Sequence, residues 1–501
     1  RLGIAGALGH TMRLMSNGDE KALESAPTGG PSGMDTGLSR RDLLKGAALA
    51  GVALGLGGGL PTVASAATSK FPLGASSKGT SPTQITLWHS MVENNLTTLE
   101  KITSAFNASQ PHVVVNLVNQ DSYTDTLSAY TTALSGGQSK LPDLVQWETE
   151  LIQILIDSQS IVPAAEAIAA DHYPLSDFVP SMLNFFKVDG IQWALPFNIS
   201  SQVLYFDQNA FTKAGLDPSN PPSTQSAVMA ACQKIVSSGA AKYGMSLKLD
   251  QTNFEQWMAL GDKTLLNNNN GRSRRATAVT FDDALGKSIF QWWSQMLKGN
   301  LAQSTANSGS GVYDNLLAIG SGIAPMTLDT SAALGTILTV LDSGQYPNVK
   351  LGVGRMPWPG SKPTKGGGVF VGGAGMFIVK KSTPATVDAA WQYLKFLVAP
   401  AQQATWAIGT GYVPIRKSAI QLPSIVQAWT SVPEYKVAYD QLLASPVNPA
   451  TAGYVTGAAA EVDTDIANAL TAMSNGTPPN QALAQAATAC NSAIQSYNER
   501  A

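Results

Sequence analysis

Aromatic residues and short polar residues stand near the ends of several apolar segments of this 501-residue chain. Proteins hold sugars and polyols with aromatic rings that pack on apolar faces and with polar groups that match the hydroxyls. The residues that could form such a site are Trp88, Trp147, Trp257 and Tyr412, with Glu148, Ser200 and Thr330. A single aromatic residue near a strand end is more often part of the core than of a binding site. These residue types alone are therefore a weak indication of polyol binding.

Motifs for catalysis are missing from the sequence. It contains no G-x-S-x-G elbow, no P-loop and no H-E-x-x-H pair. Two glycine clusters, 366–368 and 372–375, lack the G-x-G-x-x-G spacing and lead into a strand, so we interpret them as places of close backbone approach. We therefore expect no catalytic residues. The alternative is an exported carbohydrate-active enzyme, because a sequence does not give the separation of two carboxylates.

Composition excludes other classes of site and partner. The four histidines are scattered and there is no C-x-x-C, so we expect no metal and no cofactor. Cys232 and Cys490 are expected to be two separate buried thiols, with one disulfide after export as the alternative. The net charge of −2 and the absence of long basic runs make nucleic acid a poor partner. A chain of this length, 44% of it hydrophobic, is expected to fold into at least two lobes.

The N-terminal region has the features of an export signal. Arg40 and Arg41 precede a small, apolar run over 46–60, and the segment ends in Ala-Ser-Ala at 64–66. This order is typical of a removable twin-arginine signal. A membrane anchor is disfavoured because the run is glycine-rich and shorter than the ~20 apolar residues that span a bilayer. We expect a disordered leader or misplaced start over 1–33, the signal over 34–66 and a linker over 67–82, with the mature protein in the periplasm or outside the cell membrane.

Strands and helices alternate in the pattern of the mature chain. Strands are predicted over 85–88, 112–118 and 144–147, with helices over 95–106 and 123–134. This order predicts an α/β fold with a parallel sheet covered on both faces. Ligands bind beyond the carboxyl ends of such strands, where Tyr123 and Glu148 stand. A second α/β unit is predicted from residue 200, then a glycine-rich strand over 366–380 and mainly helices from 385 onward.

Several short sequence motifs occur in a distinctive order, and together they resemble those of one family. They are WHSM at 88–91, PFNISSQVLY at 196–205, AGLDP at 214–218, MT at 326–327, GGA at 372–374, GYVPI at 411–415 and GTP at 476–478. From Ile85 to Tyr497 the chain resembles the maltose-binding-like extracellular solute-binding proteins of ABC importers. Within them it is most similar to the branch that binds glycerol-3-phosphate and glycerophosphodiesters.

The resemblance implies a type II periplasmic-binding-protein fold, with a ligand cleft between two lobes. Lobe 1 is expected over 83–198 and 325–371, and lobe 2 over 199–324 and 372–501. The implied ligand is a sugar, a polyol or a glycerophosphoester, and the implied partner is an ABC permease in the membrane. We expect a monomer that does not bind nucleic acid. A ligand-sensing subunit of a membrane receptor is a further alternative.

The family's cleft residues can be carried over where the motifs match. The implied ligand-binding residues are Tyr123, Glu148, Ser200, Thr330, Gly373 and Tyr412, and Trp257 is added as a possible packing surface. Two positions depart from the branch's pattern. The arginine that holds phosphate falls on Val455, and a tryptophan of the second lobe falls on Gln225. Because the bidentate contact to phosphate is missing, we expect a neutral sugar or polyol to bind at least as well as glycerol-3-phosphate.

Overall fold

A computed structural model describes residues 71–306, 313–381 and 383–501. The predicted leader, the predicted export signal and the first four residues of the predicted linker lie outside the described residues. The described strands are β1 (Thr83–His89), β2 (Val113–Asn119), β3 (Leu144–Glu148), β4 (Ile161–Val162), β5 (Lys187–Val188), β6 (Ile191–Gln192), β7 (Leu195–Ser200), β8 (Gln202–Asp207), β9 (Met245–Lys248), β10 (Ala302–Thr305), β11 (Met326–Thr330), β12 (Leu351–Arg355) and β13 (Gly372–Val379).

Helices cover both sheets and make up most of the last third of the chain. Those used below are α1 (Glu93–Ser109), α2 (Tyr123–Ser135), α3 (Ile152–Ser158), α4 (Ala164–Ala170), α5 (Pro180–Phe185), α6 (Gln208–Lys213), α7 (Gln225–Ser237), α8 (Gln251–Leu260), α9 (Ala284–Lys298), α10 (Asp314–Gly320), α11 (Leu334–Asp342), α12 (Pro384–Leu397), α13 (Pro400–Thr410), α14 (Pro423–Ser431), α15 (Glu434–Ala444), α16 (Ala459–Ser474) and α17 (Pro479–Asn498). Asn267–Asn270 forms a short turn in which Asn268 and Asn269 have left-handed φ. Among the described residues, no helix is long and apolar enough to cross a membrane.

The first sheet has the order β2-β1-β3-β13-β4, with β7 also paired to β13. β1 is parallel to β2 and to β3, which confirms the parallel sheet predicted from the alternating pattern. β3 is buried along its first four residues because helices cover both faces of the sheet. β13 runs antiparallel to β3, so the start of β13 lies beside the carboxyl end of β3.

The second sheet has the order β10-β9-β11-β8-β12. β9 is parallel to β10 and β11, whereas β8 is antiparallel to both β11 and β12. β8 follows β7 after one residue, so the chain passes directly from the first sheet into the second at Ser201. The second α/β unit predicted from residue 200 is therefore confirmed.

The strand pairing corrects the predicted division of the later chain between the lobes. The segment 325–371 was expected in lobe 1, but β11 and β12 pair with β8 and so belong to the second sheet. The segment that begins at 372 was expected in lobe 2, but β13 lies between β3 and β4 in the first sheet. Helices α12 and α13, which follow β13, also pack on the first lobe. Helices α16 and α17 pack on α8 and α9 of the second lobe, as the prediction for the C-terminal part requires.

The segments that pass between the lobes meet at the buried side chain of Gln441 on α15. Its Nε2 donates to the Ser201 hydroxyl and to the Gln202 carbonyl oxygen, each at 2.8 Å. Its Oε1 accepts from the backbone N–H of Met356, just after β12, at 2.7 Å. One amide thus joins three segments at the boundary between the lobes.

The described part of the predicted linker is docked on the first lobe. Asp388 on α12 is buried and accepts hydrogen bonds from the backbone N–H groups of Gly74 and Ser76 at 2.9 and 3.0 Å. The ring of Phe71 packs edge-on against Trp391 of the same helix. Residues 71–78 are therefore an ordered strap, because a buried carboxylate and an aromatic contact hold this polar segment in place.

Candidate functional site

Three of the predicted ligand-binding residues lie side by side at the end of the first sheet where the chain crosses to the second. β13 pairs with β3 and β7 so that Ala374 is opposite Glu148 and Gly372 is opposite Ser200. Glu148 ends its strand, Ser200 ends β7, and Gly373 stands near the start of β13. The sheet therefore brings these residues together from segments that are far apart in the sequence.

Gly373 allows two backbones to approach each other at this edge. Its φ is +99°, a conformation that side chains other than glycine rarely adopt. A Cβ atom at this position would clash with the carbonyl oxygen of Asn198 on β7. Close backbone approach was the role predicted for the glycine clusters, and the structure bears this out at Gly373.

Thr330 stands on the second-lobe side of the same crossing. It ends β11 opposite Gln202, and the next residue, Ser331, donates its backbone N–H to the Ser201 carbonyl oxygen at 2.8 Å. The Thr330 hydroxyl accepts a hydrogen bond from the N–H of Ala332 at 3.2 Å and thereby caps the following turn. The Thr330 hydroxyl can still donate its own hydrogen, at the end of β11 in the second sheet.

Tyr123 and Tyr412 form what we call the aromatic pole, together with Asn198 and Trp406. Asn198 Nδ2 donates to the Tyr123 hydroxyl at 2.8 Å. Tyr412 stacks on Trp406 with ring centroids 5.5 Å apart and an interplanar angle of 17°. Burial raises the pKa of Tyr123 well above its usual value, and the nearby Tyr412 and Glu148 raise it further. Both tyrosines therefore remain neutral hydrogen-bonding groups beside Glu148.

A chain of buried amides orients the aromatic pole. The backbone N–H of Ser90 donates to Gln146 Oε1 at 2.8 Å, and Gln146 Nε2 donates to Asn198 Oδ1 at 2.7 Å. The Asn198 amide is thus fixed with its Nδ2 toward Tyr123. The sequence analysis missed Gln146 and Asn198, although a polar residue inside a buried strand is a signal, because buried amides need partners.

Glu148 also borders a group of carboxylates that we call the acidic pole. It consists of Glu148, Glu150, Asp250, Glu255 and Asp463. Glu148 ends β3 of the first lobe and Glu150 follows it. Asp250 caps the N-terminus of α8, and the other two stand on α8 and α16 of the second lobe. The sequence analysis named only Glu148 among them.

Burial and neighbouring carboxylates raise the pKa values of Glu148, Glu150, Glu255 and Asp463. Burial raises the pKa of Glu150 to about 7, and the charge of Asp463 adds to that effect. Burial likewise raises the pKa of Asp463 to about 6, although Tyr454 donates a hydrogen bond to it. The pKa values of Glu148 and Glu255 are raised well above the usual range by burial and by neighbouring carboxylates. Near pH 7 this group therefore contains both protonated and ionised acids.

Two cations stand near these groups, and both have partners. Arg272 donates to the backbone carbonyl oxygens of Phe185, Lys187, Ala452 and Gly453. Burial lowers its pKa to about 9, and the nearby Glu150 opposes that effect. Lys248 pairs with Asp329 at 3.2 Å, and both side chains are largely buried. Each of these two side chains therefore has partners within the protein.

The two positions that depart from the family pattern are both buried. Val455 is 1% exposed, and its backbone N–H donates to the Asn270 carbonyl oxygen at 2.8 Å. Gln225 is buried at the start of α7, and its carbonyl oxygen accepts from Trp292 Nε1 at 3.0 Å. Val455, on which the resemblance places the arginine of the branch, has an apolar side chain, so that position provides no cation.

Two of the three predicted tryptophans, Trp147 and Trp257, are buried in the core. Trp257, included as a possible packing surface, is 1% exposed; its Nε1 donates to the Pro357 carbonyl oxygen, and its ring contacts Trp292 and Trp293 edge-on. Trp147 is buried and donates to the Leu151 carbonyl oxygen, while Trp88 packs edge-on against Tyr130. Trp257 lies on the face of α8 that packs on α9, and this corrects its assignment to the site.

Thiols and metal ligands play no part in the site as the structure describes it. Cys232 and Cys490 are free and buried, as expected. Within the ranges 71–306, 313–381 and 383–501, no group of three or more histidine, cysteine or acidic residues has the arrangement of a metal site.

Comparison with known proteins gives a consistent match over most of the chain. The sequence profile of the bacterial extracellular solute-binding protein family matches residues 101–434. The sn-glycerol-3-phosphate-binding periplasmic protein UgpB of Yersinia pseudotuberculosis is 27% identical over 414 residues, which cover 80% of this chain and 89% of that protein. This relative is a solute-binding protein rather than an enzyme.

Solved structures show the same architecture at lower sequence identity. The GacH receptor of Streptomyces glaucescens, solved without ligand and with acarbose, superimposes with a TM-score of 0.67 at 21% identity and covers 83% of this chain and 99% of its own. UgpB from Mycobacterium tuberculosis, solved with glycerophosphocholine, superimposes with a TM-score of 0.68 at 18% identity and with the same coverage of both chains. The two-lobed, maltose-binding-like α/β fold is therefore confirmed.

Proposed function

Because the chain belongs to the bacterial extracellular solute-binding protein family, we propose that it captures a carbohydrate or polyol between its two lobes and delivers it to an ABC importer. The observation that carries this proposal is the convergence of Glu148, Ser200 and Gly373 at one end of the first sheet, beside the aromatic pole and next to the chain crossing into the second sheet. Thr330 ends β11 on the other side of that crossing, so closure of the lobes would surround a ligand with groups from both sheets.

The proposed mechanism is binding without chemistry. Tyr412, held flat against Trp406, offers a ring to the apolar face of the ligand, and Tyr123 offers a hydroxyl. Glu148, Ser200, Thr330 and the backbone at Gly373 provide acceptors and donors for ligand hydroxyls. Closure removes water from these contacts and forms the surface that a membrane permease recognises. We propose that the ligand is released unchanged.

The ligand that we propose differs in charge from the one for which the Yersinia relative is named. The Yersinia relative is named for binding glycerol-3-phosphate, and a buried phosphate needs compensating cations or donors. Val455 provides no cation, Arg272 donates to four backbone carbonyl groups, and Lys248 is paired with Asp329. These contacts support a sugar or polyol as the ligand in preference to a phosphate ester.

The place of action follows from the family and from the N-terminal pattern. We propose that a twin-arginine signal exports the folded protein, which then works as a monomer in the periplasm or on the outer side of the cell membrane. Its macromolecular partner would be the permease of the importer, and nucleic acid would not be a partner.

The test is a binding panel measured by calorimetry with glycerol-3-phosphate, glycerophosphocholine, maltose and trehalose. We expect a saccharide to bind at least as tightly as the phosphate esters and to be recovered unchanged. Tyr412→Ala should weaken that binding by about 1–3 kcal/mol, as expected for a buried aromatic anchor. Tyr412→Phe is the matched control, because it keeps the ring on Trp406. Tight binding of a phosphate ester that weakens steeply with added salt, or product formation that scales with protein, would contradict the proposal.

A further inference from the structure

The hydrogen bonds that lead to the aromatic pole all run in one direction. The backbone N–H of Ser90 can only donate, so the Gln146 atom 2.8 Å from it is the carbonyl oxygen Oε1. The other end of that amide is Nε2, so the Asn198 atom 2.7 Å from it is the acceptor Oδ1. Asn198 Nδ2 then faces the Tyr123 hydroxyl, 2.8 Å away, and donates to it. We call Ser90, Gln146, Asn198 and Tyr123 the amide relay.

Burial prevents the amide relay from reversing. Gln146 and Asn198 are both 0% exposed, so water does not complete either amide in a turned orientation. A turned Gln146 would place Nε2 against the Ser90 N–H, and two donors facing each other in the core would leave both unsatisfied, at about 1–3 kcal/mol for each group. Because the relay begins at a backbone N–H, which has no second orientation, the main chain after β1 sets its direction.

An irregularity in β7 directs the Asn198 side chain toward the tyrosines. In the pairing with β13 the register shifts between Pro196 and Asn198, so Phe197 is an extra residue on β7. Such a bulge changes the direction of the neighbouring side chain. Gly373 leaves room for the amide, because a Cβ atom there would lie 3.5 Å from Asn198 Nδ2. Both features fix Asn198 beside the candidate ligand position.

The direction of the amide relay continues to the Tyr412 hydroxyl. The Tyr123 oxygen accepts from Asn198, so Tyr123 donates its own hydrogen onward. Burial raises the pKa of Tyr412, and the hydrogen bonds that its oxygen accepts from Asn198 and Tyr123 oppose that effect. Glu148 acts on both tyrosines through its charge and not through a hydrogen bond. The Tyr412 oxygen thus accepts twice, and its O–H group is left to donate to a further group.

We propose that Gln146 and Asn198 are positioning residues that make Tyr412 a hydrogen-bond donor to the ligand, so that the ligand presents an acceptor oxygen there. This inference rests on the proposed function, because it concerns the same cleft. A hydroxyl or ring oxygen of a saccharide or polyol meets the requirement. An ammonium group or an amide N–H at that position would face another donor and is excluded. Tyr412 therefore contributes its O–H group in addition to its ring.

Neutron crystallography on the unliganded protein, exchanged into D₂O, tests the direction of the amide relay without a ligand, because it locates deuterium. We expect deuterium on Gln146 Nε2 and on Asn198 Nδ2, and a Tyr412 O–D bond directed away from both Asn198 and Tyr123. An Asn198 amide with Oδ1 toward Tyr123, or a Tyr412 O–D bond directed at either neighbour, would overturn the proposal.

Gln146→Glu should reverse the amide relay, because it exchanges one donor for an acceptor. The new carboxylate still accepts from the Ser90 N–H, but its other oxygen requires Asn198 to turn and offer Oδ1 to Tyr123. Calorimetry with maltose or trehalose, whichever the wild type binds more tightly, should show binding at least about tenfold weaker at pH ~8. As the pH falls toward ~5 the buried carboxylate regains a proton to donate, so binding should recover relative to the wild type at the same pH. A general loss of structure would not produce that recovery.

Tyr412→Phe removes the proposed donor and keeps the ring on Trp406. It should bind the same saccharide less tightly than the wild type and more tightly than Tyr412→Ala. Equal affinity of Tyr412→Phe and the wild type would contradict the donor role of Tyr412.

Gln192→Glu is the matched control for a buried glutamine outside the site. Gln192 Nε2 donates to the carbonyl oxygens of Leu183 and Ala194 at 3.0 and 2.8 Å, so this change should lower stability without changing saccharide affinity. Circular dichroism identifies a variant that fails to fold. If Gln146→Glu fails, Asn198→Asp takes its place, because its carboxylate accepts from both Gln146 and Tyr123.

The outcomes separate this inference from the proposed function. Unchanged saccharide binding at pH ~8 in a folded Gln146→Glu variant, in which the acid is the only change, would overturn the amide relay and leave carbohydrate capture standing. If the wild type binds glycerol-3-phosphate and neither saccharide, the proposed function fails, and the neutron result alone decides whether the amide relay stands.

Discussion

At individual residues of the candidate site, the side chain that suits ligand binding is not always the one that stabilises the fold. Tyr412 is stabilised where it lies, because its ring stacks on Trp406. Asp463 is not, since burial disfavours the ionised form of its carboxyl group. A buried group that lowers stability is typical of a functional position, where selection for binding outweighs selection for stability.

The pH dependence of stability should reveal this conflict at Asp463. Its pKa is about 6 in the folded protein, above the ordinary value, so the folded chain holds a proton that the unfolded chain has already lost. The stabilising effect of that proton is present below the unfolded pKa and is lost as pH rises through about 6. Asp463→Asn should therefore be more stable than the wild type at pH ~8, by on the order of 1 kcal/mol, with little difference at pH ~4.

Urea denaturation at several pH values would measure this difference. Asp217→Asn is the matched control of opposite sign, because hydrogen bonds from Ser219 lower the pKa of the exposed Asp217. That control should show no gain at high pH. An Asp463→Asn effect of equal size at every pH would contradict the assigned cause.

At the scale of elements, the site depends on how strands meet. The start of β13 beside the end of β3 places Gly373 against Asn198, and Asn198 in turn orients Tyr123. The crossing after β7 is held by the Gln441 amide, which contacts Ser201, Gln202 and Met356. Backbone approach and buried amides thus set the geometry around the ligand position.

Gly373→Ala should be strongly destabilising. The added Cβ would clash with the Asn198 carbonyl oxygen, and the φ of +99° would be strained for alanine. We expect a loss of about 2–3 kcal/mol in the free energy of unfolding, measured by urea denaturation. Gly360→Ala is the control, since a Cβ there meets no atom within 4 Å, and it should be nearly neutral. A stable Gly373→Ala variant would show that β7 and β13 are not held as closely as described.

For the whole molecule, the two-lobed fold suits the export route that we propose. A twin-arginine route carries folded proteins, and a large two-lobed chain that must fold correctly is suited to it. The ordered strap at 71–78 means that packed structure begins only a few residues after the predicted end of the signal at residue 66.

Replacing both arginines of the signal by lysine, R40K/R41K, should stop export of the folded protein. The reason is that a twin-arginine signal is recognised through its paired guanidinium groups. Cell fractionation with an antibody to the protein would show whether the unprocessed form accumulates in the cytoplasm. Conversion of the exposed Arg500 to lysine is the control and should leave export unchanged. Processed R40K/R41K protein outside the cytoplasm would contradict this route.

Much of the fold was predictable because it depends on local pattern. Runs of β-branched residues and helical spacing identified β1 to β3, α1 and α2, and their alternation predicted the parallel sheet. The order of short motifs also identified the family before any contact was known. The same motifs named Tyr123, Glu148, Ser200, Gly373 and Tyr412, whose neighbourhood the structure shows and whose role in binding remains a proposal.

The pairing of strands that are distant in the sequence could not be predicted from local pattern. Nothing local distinguishes a strand that joins one sheet from a strand that joins the other, so β11, β12 and β13 were assigned to the wrong lobes. Trp257 was placed in the site because its residue type suits a sugar, but only packing against Trp292 and Trp293 determines that its ring is buried. The acidic pole was not predicted for the same physical reason. A pKa depends on burial and on neighbouring charges in space. Glu150, Glu255 and Asp463 become neighbours only when the lobes are folded together.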